Sequence, residues 1–237
     1  MKDYKNYIFD LYGTLIDIHT DEESIKNWKK FSNALSKYRI INPKQLKQDY
    51  FYFLKQIEKN NQQKEIDIKD VFVEIFKKHN IPFNNQIIKE IAYEFRKATR
   101  SHLRLYSNVI ALLELLKKNN KKIYLLSNAQ NLFTIPEIKK LDIEKYFDDI
   151  FISSDIGFKK PDIRFIRLLL KKHKLNKKEC IFIGNDLYDD ITSANLIGID
   201  SYYIHNKLSS SRKSNSKPTY YQEGTNILKI INKIKKV

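Results

Sequence analysis

The chain has 237 residues, enough for one well-buried core with a smaller unit beside it. Hydrophobic residues at 42% and aromatics at 13% exclude a disordered chain, and the single cysteine, Cys180, excludes an intramolecular disulfide. Lys and Arg number 44 against 28 Asp and Glu, a formal net charge of +16. The lysines are scattered without a nucleic-acid-binding motif, so the positive field is expected to attract small phosphorylated molecules rather than nucleic acid.

In chain order, the first element is the apolar run Tyr7-Ile8-Phe9, which ends in Asp10 and is followed at once by the turn residue Gly13. So short and apolar a run reads as a buried parallel strand that delivers Asp10 to its carboxyl end, the edge at which open α/β sheets bind ligands. From Asp17 to His102 the apolar spacing becomes helical. Ile25, Trp28, Phe31 and Leu35 form one stripe and Tyr50, Phe53, Leu54 and Ile57 another. Two further helices are expected over 68–79 and 86–100, with Pro82 as the breaker between them. Residues 17–102 therefore read as a helical cap inserted after the first strand and able to close over it. Residues 1–16 and 103–237 are left as an α/β core. Arg96, Arg100 and His102 near the return linker read as a solvated face rather than as substrate ligands.

Beyond the insertion the pattern alternates. A helix is expected over 107–119, a strand over 122–126 ending in Ser127-Asn128-Ala129, a helix near 135–141 and a strand near 150–152. Pro161 suits the first position of the next helix. A strand over 180–183 then ends in Gly184-Asn185-Asp186, with a helix from Asp190 to Ile197 and a last long strand at 201–204. The polar, serine- and lysine-rich residues 206–219 read as a mobile loop before a closing helix at 226–235. No apolar run reaches transmembrane length and the N-terminus carries no hydrophobic signal segment, so a cytoplasmic protein without a membrane partner is expected. The oligomeric state is not legible.

Four strand ends thus offer groups to one edge: Asp10, Ser127 with Asn128, Lys160, and the carboxylates Asp186, Asp189 and Asp190. Each is commonplace alone, because Asp, Ser and Asn favour turns and acidic residues favour helix N-termini. Together they supply a nucleophile, hydrogen-bond donors and a cation, the set a phosphoryl group needs. Crowded carboxylates also suit a hard cation such as Mg²⁺.

In this order the motifs F-D-L-Y-G-T-L, Y-L-L-S-N, F-K-K-P-D and F-I-G-N-D-L-Y-D-D-I resemble those of the haloacid dehalogenase superfamily of phosphatases and related hydrolases. The resemblance implies a three-layer, Rossmann-like α/β core with a mostly parallel sheet and a helical cap. It implies that Asp10 is a nucleophile forming an aspartyl-phosphate, that Ser127 (with Asn128) and Lys160 bind the phosphoryl group, and that Lys160 neutralises nucleophile and substrate. Asp190 would position Lys160 or a metal-bound water. Mg²⁺ would be held by Asp10, the main-chain carbonyl of Tyr12 and one of Asn185 and Asp186, since successive strand residues face opposite ways.

Two departures stand out. Tyr12 occupies the place of the family's general acid, and a phenol with a pKa of about 10 is a poor base near neutrality. Asn185 stands where an aspartate is common. The resulting expectation is a Mg²⁺-dependent phosphohydrolase acting on a small phosphorylated metabolite. The alternatives are a metal-independent 2-haloacid dehalogenase, whose branch also carries this tyrosine, and a weakly catalytic member that binds a phosphorylated ligand or a protein.

Overall fold

The computed structural model describes residues 1–60 and 64–236. The first strand, β1 (Asn6–Phe9), runs into a tight turn in which the Leu11 carbonyl accepts the N–H groups of Thr14, Leu15 and Ile16. The chain then leaves along β2 (Ile16–Thr20) and builds four helices, α1 (Ile25–Leu35), α2 (Pro43–Asn60), α3 (Ile68–Lys78) and α4 (Asn85–Thr99). It returns along β3 (Arg100–Leu105), which pairs antiparallel with β2 and sets His19 opposite His102. The expected helix at 86–100 therefore stops short of Arg100, and Asp17 and His102 lie in a two-stranded ribbon. The partners in that ribbon are some eighty residues apart, so local periodicity does not show it.

The remainder alternates through α5 (Val109–Lys118), β4 (Lys122–Ser127), α6 (Asn131–Lys140), β5 (Asp149–Ile152), a single turn α7 (Ser153–Ile156), α8 (Ile163–Lys172), β6 (Cys180–Gly184), α9 (Thr192–Ile197), β7 (Asp200–His205), β8 (Tyr220–Glu223) and α10 (Ile227–Lys235). Six strands form one sheet in the order β5-β4-β1-β6-β7-β8, every pairing parallel. Strand β8 was not anticipated, because four residues with alternating exposure carry little signal.

Alternation along β1 explains the three layers. Tyr7 and Phe9 pack with Leu112 and Leu116 of α5 and Ile230 of α10, whereas Ile8 joins Phe165 and Leu169 of α8 and Ala194 of α9 on the other face. Helix α8 begins at Ile163 because the Asp162 carboxylate accepts the Arg164 N–H as its cap; Pro161 precedes that cap instead of opening the helix. Helix α6 begins at Asn131, ahead of Pro136, since the Gln130 carbonyl takes the N–H groups of Phe133 and Thr134 and closes the first turn.

Helices α1 to α4 enclose a second core, in which Trp28, Tyr50 and Phe72 gather around Phe95 with ring centroids 4.9 to 5.5 Å from it. Phe133 of α6 completes this cluster. No described helix is long and apolar enough to cross a membrane.

Candidate active site

The chain order places β4 and β5 on one side of β1, and β6, β7 and β8 on the other. The carboxyl ends of β1, β4 and β6 therefore meet at the point where the winding reverses, the usual crevice of such sheets. Asp10 lies there, buried, its N–H bound to the Ile183 carbonyl at 2.9 Å. Its Oδ1 accepts the Lys160 ammonium at 2.7 Å and the Ser127 hydroxyl at 3.2 Å. Its Oδ2 accepts the Thr14 hydroxyl at 3.3 Å.

Lys160 is 2% exposed and spends all three protons, on Asp10, on Asp190 at 2.7 Å and on the Leu126 carbonyl at 2.9 Å. Burial works against its charge, but Asp10 and Asp190 outweigh that and raise its pKa, so the ammonium persists across the physiological range. Burial raises the Asp190 carboxyl, with Lys160 opposing the shift. One ammonium between two carboxylates leaves this buried group able to take up a further cation.

Two glycines make the approach possible. A Cβ on Gly184 would meet Asp190 Oδ2 at 2.2 Å, and one on Gly13, at φ +81°, would meet Asn185 Nδ2 at 2.3 Å. Strand β6 ends at Gly184, so strict alternation stops before Asn185 and Asp186. Both line one cavity of about 140 Å³ together with Asp10, Ser127 and Lys160, contrary to the expectation that they would face opposite ways. Asn185 Oδ1 accepts the Thr14 hydroxyl at 3.1 Å, and Asp186 Oδ1 accepts the Tyr188 and Asp189 N–H groups at 2.8 Å.

Two candidates are engaged otherwise than expected. Asn128 directs both amide atoms at the Lys160 backbone, donating to its carbonyl at 3.0 Å and accepting its N–H at 2.8 Å, so its side chain positions Lys160. The Tyr12 hydroxyl is turned to α6, donating to Glu137 Oε2 at 2.5 Å beside Thr134 Oγ1 at 3.1 Å. Burial and then the Glu137 charge push the phenol well above its ordinary pKa, which removes it as a base.

The segment 206–219 is laid across the site instead of standing free. Asn206 donates to the Gly13 carbonyl at 2.8 Å, and Thr192 Oγ1 lies 2.9 Å from the hydroxyls of both Ser214 and Ser216. Arg212 pairs with Asp189, sits 3.6 Å from Asp186 and stacks on Tyr188 at 4.5 Å. The repulsion expected of the acidic loop is thus met in part by an arginine that no local motif announced. Thr14 and Glu137 were likewise missed: the first lay inside a motif without being singled out, and the second has partners 37 to 125 residues away.

The donor set is compatible with Mg²⁺. Among the described residues no three His, Cys, Asp or Glu side chains group to hold an ion unaided. Two carboxylates, Asp10 and Asp186, with an amide oxygen from Asn185 suit an ion that keeps waters and takes substrate phosphate as a ligand. Asp189 Oδ1 lies buried nearby without a hydrogen-bond partner, although the other oxygen of that carboxylate pairs with Arg212.

A family model described as haloacid dehalogenase-like hydrolase matches residues 4–228. The chain belongs to that family. It is 33% identical over 122 residues to drimenol cyclase drtB of Aspergillus calidoustus, covering 50% of this chain and 23% of that protein. It is 30% identical over 122 residues to phosphoglycolate phosphatase of Yersinia pestis, covering 52% of each. The chain thus spans from just under a quarter to about half of the length of these curated relatives. Its fold matches the solved HAD phosphatase from Thermococcus onnurineus with a TM-score of 0.60 and 19% identity, over 96% of this chain and 97% of that one.

Proposed function

We propose that the protein is a Mg²⁺-dependent phosphohydrolase acting on a small phosphorylated metabolite, with Asp10 as nucleophile. The observation that carries this reading is the buried Asp10–Lys160–Asp190 arrangement beside Ser127, which pairs a carboxylate with a fixed cation and a hydroxyl donor. The similarity to phosphoglycolate phosphatase supports the reaction class.

In this reading one Asp10 oxygen attacks phosphorus, the bond from phosphorus to the leaving oxygen breaks, and an aspartyl-phosphate forms. Water then attacks that phosphorus, releasing phosphate and regenerating the carboxylate. Ser127 and Lys160 hold phosphoryl oxygens, while Asp190 and Asn128 hold Lys160. Asp10, Asn185, Asp186 and the Tyr12 carbonyl would hold Mg²⁺, which when bound supplies positive charge for the phosphoryl oxygens. Because the Tyr12 phenol is tied to Glu137, the leaving oxygen receives no proton from it. Substrates with stable leaving groups, aryl or acyl phosphates, should therefore turn over faster than alkyl phosphates. Helices α1 to α4, carried on the β2/β3 ribbon, act as the cap that excludes water.

The test is hydrolysis of an aryl phosphate by purified protein with and without Mg²⁺, alongside Asp10→Asn and a halide-release assay on a 2-haloacid. Mg²⁺-dependent phosphate release that disappears in Asp10→Asn is the expected result. Metal-independent halide release would replace the reading with the dehalogenase one.

A further inference from the structure

A second cavity of about 530 Å³ opens beside the Asp10 cavity, and Tyr12 and Asn128 form walls of both. Whatever is attached to a phosphoryl group at Asp10 therefore extends into it. One wall is Arg96 of α4, whose side chain is 13% exposed. Its Nε donates to Glu137 Oε1 at 2.8 Å, and its guanidinium lies 5.1 Å from the Phe133 ring centroid and 5.9 Å from that of Tyr12. Among the described residues, neither of its Nη nitrogens donates a hydrogen bond.

Acids and cations here are equal in number, Glu22, Glu58, Glu65 and Glu137 against Lys64, Arg96, Arg100 and Lys159, but their pairing around Arg96 is uneven. Arg100 donates to the same Glu137 oxygen at 2.8 Å, so one carboxylate serves two nearly buried guanidiniums. Elsewhere on the walls, Glu65 and Lys159 pair at 3.0 Å, and Glu58 and Lys64 are exposed to solvent. Glu22 accepts the Tyr50 hydroxyl at 3.3 Å and makes no ion pair with Arg96. Burial raises the Glu22 carboxyl, with Arg96 opposing, which eases its neutralisation beside an anion. A guanidinium anchored through Nε on Glu137 and lying near two rings, with four idle N–H donors on a residue that lines the cavity, suits bidentate contact with a carboxylate or phosphate.

We propose that the substrate carries a second anionic group, a carboxylate or another phosphate, beyond the phosphoryl group that is cleaved, and that Arg96 receives it. This rests on the phosphohydrolase reading for the placement of the first phosphoryl group at Asp10. Arg96 is thereby the residue that distinguishes phosphorylated acids and bisphosphates from neutral phosphate monoesters.

The experiment measures binding by calorimetry to the Asp10→Asn chain. Two matched pairs serve as probes: glycerate 3-phosphate against glycerol 3-phosphate, and glucose 1,6-bisphosphate against glucose 1-phosphate. At least one dianionic-group member should bind about 10-fold more tightly than its neutral counterpart, the size of one charge-assisted contact. Which pair shows the difference identifies carboxylate or phosphate as the group recognised. In a second background, Arg96→Gln should erase that preference, whereas Arg100→Gln, which loses the same Glu137 partner without lining the cavity, should keep it. Equal binding within both pairs, no binding at all, or a preference surviving Arg96→Gln would overturn the inference. Preferential binding by a chain whose unsubstituted form releases no phosphate from an aryl phosphate in the presence of Mg²⁺ would instead sink the phosphohydrolase reading and leave the anion subsite standing.

Discussion

Tyr12 and Gly184 show how single residues shape the site. The Tyr12 hydroxyl is committed to Glu137 and Thr134, so Tyr12→Phe should change kcat on an aryl phosphate by less than about 3-fold while costing about 1 kcal/mol of stability from the lost hydrogen bond. A fall of a hundredfold or more in kcat, with thermal stability retained, would instead show that the phenol turns toward the substrate. Gly184 acts by the atoms it lacks. A methyl there overlaps the Asp190 carboxylate, so Gly184→Ala should displace Asp190 from Lys160 and destabilise the fold by about 1–3 kcal/mol, measured by denaturant unfolding. The residues gathered around Lys160 were legible because each lies within a short motif, Asp10 just past the end of β1, Ser127 at the end of β4, Lys160 ahead of α8 and Asp190 in the loop after β6. Thr14 lay in view inside the first motif, but its bridge from Asp10 to Asn185 depends on a turn shape that residue types do not specify.

At the scale of elements, the segment between β7 and β8 and the packing of α2 on α3 carry separate expectations. Arg212 sits on Asp189 and near Asp186, where its charge would oppose the proposed Mg²⁺. Arg212→Ala should therefore tighten Mg²⁺ binding by about 2- to 5-fold, the worth of a partly exposed ion pair, as measured by calorimetry without substrate. Unchanged or weaker binding would make Arg212 a support for the acidic loop. Asp49 of α2 receives Lys78 at 2.5 Å, His79 at 2.6 Å and Gln45 at 2.7 Å. Burial acts the other way, but these partners together hold its carboxyl below the usual range. A depressed carboxylate stabilises the fold above the unfolded pKa of about 4, and that stability is lost as pH falls through the folded value. Thermal scans between pH 6 and 3 should show a smaller acid-induced loss in Asp49→Asn than in the unsubstituted chain. Helices with amphipathic stripes were readable because their signal is local, whereas β3 and β8 depend on partners that the stripe does not contain.

Across the whole molecule, the contacts that join the two cores include the β2/β3 ribbon, the Glu137 contacts with Arg96 and Arg100, Phe133, the Lys159–Glu65 pair, and the Gln130 side chain bound to the Ile68 N–H at 2.8 Å and the Ile66 carbonyl at 3.0 Å. The single tryptophan, Trp28, lies fully buried in the helical core and donates to the Glu22 carbonyl at 2.7 Å. Its fluorescence is thus a local reporter of that unit. Denaturant titrations followed by Trp28 emission and by far-ultraviolet circular dichroism should give non-coincident transitions, the emission changing first. Coincident curves would mean that the two cores melt as one.

The ribbon has a mechanical consequence. The polypeptide crosses between the two cores twice, and the two crossings are laced together by backbone hydrogen bonds from Ile16 opposite Leu105 to Thr20 opposite Arg100. Two independent tethers would let the helices wander through many orientations, each of which would have to be given up in the proposed cap closure. A laced pair restricts swivelling, so the proposed closure would select among fewer orientations and forfeit less entropy. Asp17, bound to Arg104 at 2.7 Å within that lacing and 3.2 Å from His102, tightens its core end.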